Sequence, residues 1–220
     1  MVCADGGANR FYEFPRERYQ SISWRNPDAI CGDLDSISNV VKEYYQNERV
    51  PIINEPDQYS TDFTKCLKYI NKNYNKCIGD ENIPPGSKHH SLDIAVIGGL
   101  GGRADQAFSQ LHHLFAASED PSLVSGDIYL ITPESIIFVL EKGLNRIYTP
   151  VSADLLAENV GIIPLGRPAI ITTRGLEWDV MDWPTEFGRQ LSTSNHIRSE
   201  VIEVETSERV IFTVELAIKP

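Results

Sequence analysis

A chain of 220 residues with 20 lysines and arginines against 31 aspartates and glutamates carries a net charge of −11. Such a surface repels nucleic acid and anionic membranes, so neither is an expected partner. With 41% hydrophobic and 23% charged residues, the chain has the composition of a globular protein long enough for a real core, as one large domain or two small ones.

In chain order, the first 130 or so residues repeat one theme, in which a short apolar run ends in glycine and aspartate and a helical pattern usually follows. Met1-Val2-Cys3-Ala4 runs into Asp5-Gly6-Gly7, and Ala29-Ile30-Cys31 runs into Gly32-Asp33-Leu34-Asp35-Ser36. Phe63, Cys66, Leu67, Ile70 and Tyr74 fall at helical spacing, with Ser60 or Thr61 able to cap the start. Lys76 to His90 is polar and contains Pro84-Pro85-Gly86, which reads as a surface insertion. Ile94-Ala95-Val96-Ile97 runs into the cluster Gly98-Gly99-Leu100-Gly101-Gly102, and Ala107, Leu111, Leu114 and Phe115 then mark a second helix ending near Ser118. Apolar strands alternating with helices predict a parallel sheet. Pro133 breaks this pattern. Beyond it, residues 136–140, 145–148, 161–165, 169–173, 201–205 and 210–218 are β-rich, with Lys142-Gly143 expected as a hairpin turn. The expected fold is therefore an α/β parallel-sheet domain over residues 1–133, followed by an antiparallel β-sandwich or roll over 134–220.

The four cysteines, Cys3, Cys31, Cys66 and Cys77, form no Cys-x-x-Cys pair and have no histidine at zinc spacing; they read as reduced, buried thiols. No apolar run reaches membrane-spanning length, and MVCADGGANR lacks the basic start and apolar stretch of a signal peptide. A cytosolic protein is expected.

In an open parallel sheet, ligands bind beyond the carboxyl ends of the strands. The Gly/Asp clusters sit at those ends, so folding should gather Asp5, Asp33, Asp35 and Asp105 along one rim, joined by Asp57 and Asp62 before the first well-marked helix. Carboxylates about 5 Å apart repel by roughly 3 kcal/mol per pair at an effective dielectric near 20. They must protonate, spread into solvent or bind a cation. An all-oxygen set favours a hard ion, Mg²⁺ first, which completes its shell with water and substrate phosphates. The glycines let backbone N–H groups approach a phosphate, and Asp105 would meet that phosphate through the metal. Taken singly, Asp-Gly and Gly-Asp pairs are ordinary turns, Asp62 fits the positive end of a helix, and Arg103 could be a solvated charge. Gly99 to Ala104 fits G-x-G-x-x-A, a dinucleotide-binding variant, but no ribose-binding acid ends the next strand. No P-loop and no G-x-S-x-G elbow is present, and His112-His113 read as surface and core neighbours.

Together, CADGGANRFYE, GDLDSI, PDQYSTDFTKCL, GGLGGRADQ and STSN, in this order and spacing, resemble the thiamine pyrophosphokinase (thiamine diphosphokinase) family. The likeness runs on through GIIPLG and TTRGLEW to the β-rich tail. It implies a Rossmann-like parallel-sheet domain followed by a β-sandwich, working as a homodimer. The implied reaction transfers the pyrophosphoryl group of ATP to the hydroxyethyl oxygen of thiamine, giving thiamine diphosphate and AMP with Mg²⁺. By the same resemblance Asp33, Asp35, Asp62 and Asp105 would hold the metal, with Arg103 completing the catalytic set. Asp5, Gln58, Thr61, Lys65, Gly101, Gly102 and Arg103 would face ATP. Ser194 and Asn195 of STSN would face thiamine across the dimer interface. Trp178 of GLEW reads equally as a stacking surface for a thiamine ring or as core. Family members carry several dozen residues ahead of the CADGGAN segment, so this chain is expected to be less stable and less active than a full-length relative. A Mg²⁺-dependent hydrolase of nucleoside-diphosphate compounds would use the same acidic rim with water as acceptor. An impaired nucleotide- or thiamine-binding protein would bind without turnover, and a nicotinamide oxidoreductase is a more distant reading.

Overall fold

The structure is a computed structural model that describes residues 1–14, 24–57, 59–73, 92–120, 123–150 and 155–217. The expected insertion at residues 76–90, Cys77, Tyr74 and Ile218 lie outside the described residues. The chain divides into two compact units: Met1–His90 with Asp120–Ser125, and Ser91–Glu119 with Gly126–Pro220.

In the first unit, β1 (Val2–Ala4), β2 (Ala29–Gly32) and β3 (Ile52–Asn54) form a parallel sheet in that order. Helices α1 (Gly7–Glu13), α2 (Asn39–Asn47) and α3 (Asp62–Lys72) join or follow them. The uninterrupted apolar run of β2 is explained by burial on both faces. Ile30 packs with Ala8 of α1 and Val41 and Tyr45 of α2, while Ala29 and Cys31 pack with Cys66 of α3. Full burial of Ile30 stabilises the unit by roughly 2 kcal/mol relative to exposure. Two hydroxyls start the longer helices. Ser38 accepts a hydrogen bond from the Val41 N–H of α2, and Thr61 accepts one from the Thr64 N–H of α3, each at 3.3 Å.

The second unit begins with β4 (Ile94–Ile97), α4 (Ala104–Glu119) and β5 (Ile128–Ile131). The strands β6 (Ser135–Leu140), β7 (Gly143–Tyr148), β8 (Leu156–Ile163), β9 (Ala169–Arg174), β10 (Trp183–Thr185), β11 (Ser192–His196), β12 (Val201–Thr206) and β13 (Val210–Leu216) follow. A six-stranded sheet runs β11-β8-β13-β6-β5-β4 and a four-stranded sheet runs β10-β9-β12-β7. Leu140, Val160, Ile162, Val210, Phe212 and Val214 of the first sheet meet Ala169, Ile171, Ile202 and Val204 of the second in one apolar core. Arg209, just before β13, donates to the Phe115 carbonyl at 3.2 Å and to Ser118 Oγ at 2.8 Å, and it pairs with Glu119 at the end of α4. It thereby places a cation at the C-terminal end of that helix, on the Phe115 carbonyl.

A parallel-sheet unit and an antiparallel sandwich are both present, as the sequence predicts. Two details differ. Ile94–Ile97 does not extend the β1-β2-β3 sheet; it pairs in parallel with β5, which pairs antiparallel with β6. A strand–helix–strand crossover through α4 makes this parallel pair, and the short turn at Pro133 continues it into the larger sheet. Lys142-Gly143 is not a hairpin, because β6 pairs with β13 and β7 pairs with β12. The chain turns there from one sheet of the sandwich to the other. Gly143 at φ 106° makes the corner, and Asn145 seals it by donating to the Glu141 carbonyl at 2.8 Å and the Gly143 carbonyl at 3.2 Å. Among the described residues, no helix is long and apolar enough to cross a membrane.

Candidate active site

Strand β1 ends at Asp5, whose backbone has φ 30° and whose carboxylate is buried. That carboxylate accepts the N–H groups of Ser36 at 3.0 Å and Ile37 at 2.9 Å, and so holds the GDLDSI turn after β2. Burial raises the Asp5 pKa, and the nearby Asp62 and Asp35 charges add to the rise against the pull of the two N–H bonds. Within that turn Asp33 Oδ1 accepts the Asp35 N–H at 3.3 Å, and Leu34 sits at φ 66°. Asp62 opens α3, where the helix terminus favours an anion, and accepts the Asp33 N–H at 3.3 Å.

Asp5, Asp33 and Asp62 each offer one oxygen, and these oxygens lie within 4.8 Å of one another. Gly32 permits this approach, since a Cβ there would stand 2.6 Å from the Asp5 Cβ and 3.1 Å from Asp62 Oδ1. One turn along α3, Lys65 is buried and reaches Asp62 Oδ1 at 3.1 Å and Asp33 Oδ2 at 3.6 Å. Burial works against its ammonium. The hydrogen bond to Asp62 and the charges of Asp62 and Asp33 outweigh it, so its pKa is raised. One lysine leaves two negative charges of the cluster uncompensated. Three converging oxygens with that surplus fit a hard divalent cation in number, charge and donor type.

The other sequence candidates take varied positions. Asp35 is exposed and accepts the Ser36 hydroxyl at 2.7 Å, which holds its pKa low. Asp57 is not part of the three-oxygen cluster. It shapes its own loop, accepting the Tyr59 N–H at 2.9 Å and the Ser60 hydroxyl at 2.6 Å. Thr61 is the α3 cap, and Gln58 lies outside the described residues. Arg103 and Asp105 belong to the second unit at the start of α4. There they pair with each other at 2.6 and 3.1 Å, both exposed. Gly101 at φ 147° and Gly102 at φ 68° form the turn before them, with open space where side chains would be.

In the second unit, Trp178 is not core: it is 55% exposed. Ser194 is exposed at φ 55°, in a bulge of β11 against β8. Asn195 is buried, and its side chain bonds to the backbone of Trp178 and of His196. The sequence reading missed what surrounds Trp178. The His196 ring lies 4.9 Å from the indole, and Glu177 Oε2 contacts His196 Nδ1 at 2.8 Å. Arg198 pairs with Glu177, and with Glu158 at 2.8 Å. The signal available was Gly175 directly after a β-run with Asp179 four residues on, the composition of a side-chain-closed turn.

Residues 1–124 match the model described as thiamin pyrophosphokinase, catalytic domain, and residues 145–211 match thiamin pyrophosphokinase, vitamin B1 binding domain. A thiamine pyrophosphokinase of Saccharomyces cerevisiae is 31% identical over 99% of this chain and 77% of its own length. Thiamine pyrophosphokinase 1 of Oryza sativa subsp. japonica is 34% identical over 98% and 78%. The solved thiamin pyrophosphokinase from Candida albicans superimposes with a TM-score of 0.80 at 31% identity, covering 98% of this chain and 81% of that one.

Proposed function

The chain belongs to the thiamine pyrophosphokinase family, and from that membership we infer that it transfers the pyrophosphoryl group of ATP to thiamine, giving thiamine diphosphate and AMP. The observation that carries the chemistry is the convergence of Asp5, Asp33 and Asp62 beside Lys65. The thiamine hydroxyethyl oxygen attacks the β-phosphorus. The new O–P bond forms as the bond to the bridging α–β oxygen breaks, and AMP leaves with that electron pair. Little covalent help is needed; in-line positioning and charge neutralisation are.

A divalent ion, Mg²⁺ by its preference for oxygen donors, would be held by Asp33 and Asp62 with Asp5. Asp35 and Asp105 are added by the family likeness. Its contribution when bound is to neutralise charge on the triphosphate. Lys65 fixes the Asp33 and Asp62 carboxylates in place, and the hydroxyl proton passes to a carboxylate of the site. Arg103, Gly101, Gly102, Gln58 and Thr61 are assigned to the nucleotide. Functionally, residues 1–133 handle ATP and residues 134–220 handle thiamine, through Trp178 and Ser194. The protein acts as a homodimer in the cytosol. Exposed Met181 and Phe187 support a covered face, and the free thiols support a reducing compartment.

Incubation with ATP, Mg²⁺ and thiamine tests this reading. AMP and thiamine diphosphate should form in equal amounts, and AMP should be absent without thiamine. AMP formed without thiamine would identify a hydrolase instead. Asp33→Asn should lower turnover roughly 10²-fold or more while the melting temperature stays within a few degrees, as for loss of a charge-stabilising group. Turnover near wild type in that variant would remove the acidic cluster from the reaction.

A further inference from the structure

The loop between β9 and β10 carries an exposed indole on an unusually well-tied backbone. Asp179 closes it from within, accepting the Gly175 N–H at 3.0 Å, the Leu176 N–H at 3.1 Å and the Thr173 hydroxyl at 3.0 Å. From β11, Asn195 Oδ1 accepts the Trp178 N–H at 3.1 Å, and its Nδ2 donates to the Trp178 carbonyl at 2.9 Å. Both backbone polar groups of Trp178 are thus taken by one buried carboxamide. The same Oδ1 also accepts the His196 N–H at 2.9 Å. On either side, the Glu177 N–H donates to the His196 carbonyl and the Arg198 N–H to the Gly175 carbonyl, each at 2.9 Å. Gly175 has φ 95°, and a Cβ there would stand 2.8 Å from the Val201 carbonyl oxygen, so the loop lies tight against β12. The His196 ring backs one side of the indole and is itself held by Glu177.

An apolar ring held out in water by a rigid backbone is a common form of recognition anchor, because its ordering is complete before a ligand arrives. In this arrangement Asn195 is already engaged, through its carboxamide, by the backbone of Trp178 and His196. It is only 5% exposed, and its oxygen already accepts two N–H groups. We propose that Asn195 and Asp179 are positioning residues that act through Trp178, presenting its indole as a fixed face for the cationic heteroaromatic substrate. This rests on the thiamine reading above. A cation over the indole face is attracted by the ring quadrupole. The energy of that contact depends on where the ring is held: the two clamps fix the backbone that carries it, and the His196 ring backs the indole.

The test is a mutant cycle on the full chain, reading KM for thiamine and for ATP separately, with acrylamide quenching and anisotropy of the Trp178 emission obtained by difference from Trp178→Phe. Asn195→Ala should raise KM for thiamine by about tenfold, equivalent to about 1.4 kcal/mol. KM for ATP should stay within about twofold of wild type, on the additivity expected of independent sites. Trp178 emission should become more mobile and more quenchable. In a Trp178→Ala background, Asn195→Ala should have no further effect on thiamine KM, since residues acting through one group are not additive. Asp179→Asn, which keeps one acceptor oxygen, should give a smaller change of the same selectivity, and it supplies the test if Asn195→Ala does not fold. Additive effects of Asn195→Ala and Trp178→Ala would show direct contact with substrate and overturn the proposal. Equal changes in both KM values, or unchanged Trp178 emission, would overturn it too. A wild-type protein that does not use thiamine would sink the functional reading instead, and the emission measurements would still decide whether the clamps hold Trp178.

Discussion

Gly32 sets how closely the acidic groups can come together. Asp5 Cβ and the Asp62 carboxylate both crowd the place where a side chain at 32 would begin. Gly32→Ala must therefore move Asp5 or Asp62, and Asp5 also carries the turn containing Asp33 and Asp35. Turnover should fall roughly 10²-fold, the usual loss when a group is misplaced by about 1 Å, and half-saturation should need more Mg²⁺. A Mg²⁺ titration of initial rate, wild type against variant, checks this; superimposable curves would contradict it. The convergence of Asp33 and Asp62 was legible in the sequence because strand ends and helix starts are where a parallel sheet places ligands; Asp35, read with them, lies outside the three-oxygen cluster. The finer arrangement was not. Asp57 has the same sequence signature as Asp62 but turns its oxygens onto Tyr59 and Ser60. That Asp5, rather than Asp57, completes the cluster depends on a buried approach that spacing alone does not encode.

At the scale of elements, the two long helices were readable from their apolar stripes, and α3 also from its cap. Strand β11 was not, because Ser192-Thr193-Ser194-Asn195-His196 has no apolar alternation and becomes a strand only by pairing with β8. The corner between β6 and β7 shows the same limit: Lys142-Gly143 announces a turn but not whether the strands it joins will pair. The four-stranded sheet carries its own electrostatic tie on β12. Glu203 lies opposite both Arg146 of β7 and Arg174 of β9, at 2.9 and 3.3 Å. Arg146 first, then Arg174, holds the Glu203 pKa below the usual glutamate value. The folded form therefore releases this proton more readily than the unfolded chain. The stabilisation is present above the unfolded pKa of about 4.3 and is lost as pH falls through the lower folded value. The melting temperature of Glu203→Gln should be below wild type at neutral pH, and the gap should close on acidification past that range. A gap of constant size from neutral to strongly acid pH would show that charge at 203 is not the cause.

For the molecule as a whole, the change of hydrophobic period announced a parallel-sheet unit followed by a sandwich, but not where the compact units divide, since Ser91–Glu119 groups with the sandwich strands. Partner choice was not announced either: the residues of β4 read the same whether they extend the first sheet or pair with β5. The first unit has a further property that follows from its buried thiols. Beneath the acidic end of its sheet, Cys3, Cys31 and Cys66 are free and buried, the Cys66 thiol pointing at the Cys3 and Cys31 carbonyls at 3.8 and 3.9 Å. Burial lifts the Cys3 pKa to about 11. The side-chain hydrogen bond with Cys31, and after it burial, raises that of Cys66. Covered sulfur is out of reach of alkylating reagents, Cys31 included, although the hydrogen bond from Cys66 lowers its pKa. Iodoacetamide should therefore modify these three positions together and only as fast as the unit opens, so that mass spectrometry of the tagged peptides becomes a clock for its local breathing. ATP with Mg²⁺ should slow that clock, and rapid tagging of the resting protein would show that the layer is far looser than its packing implies.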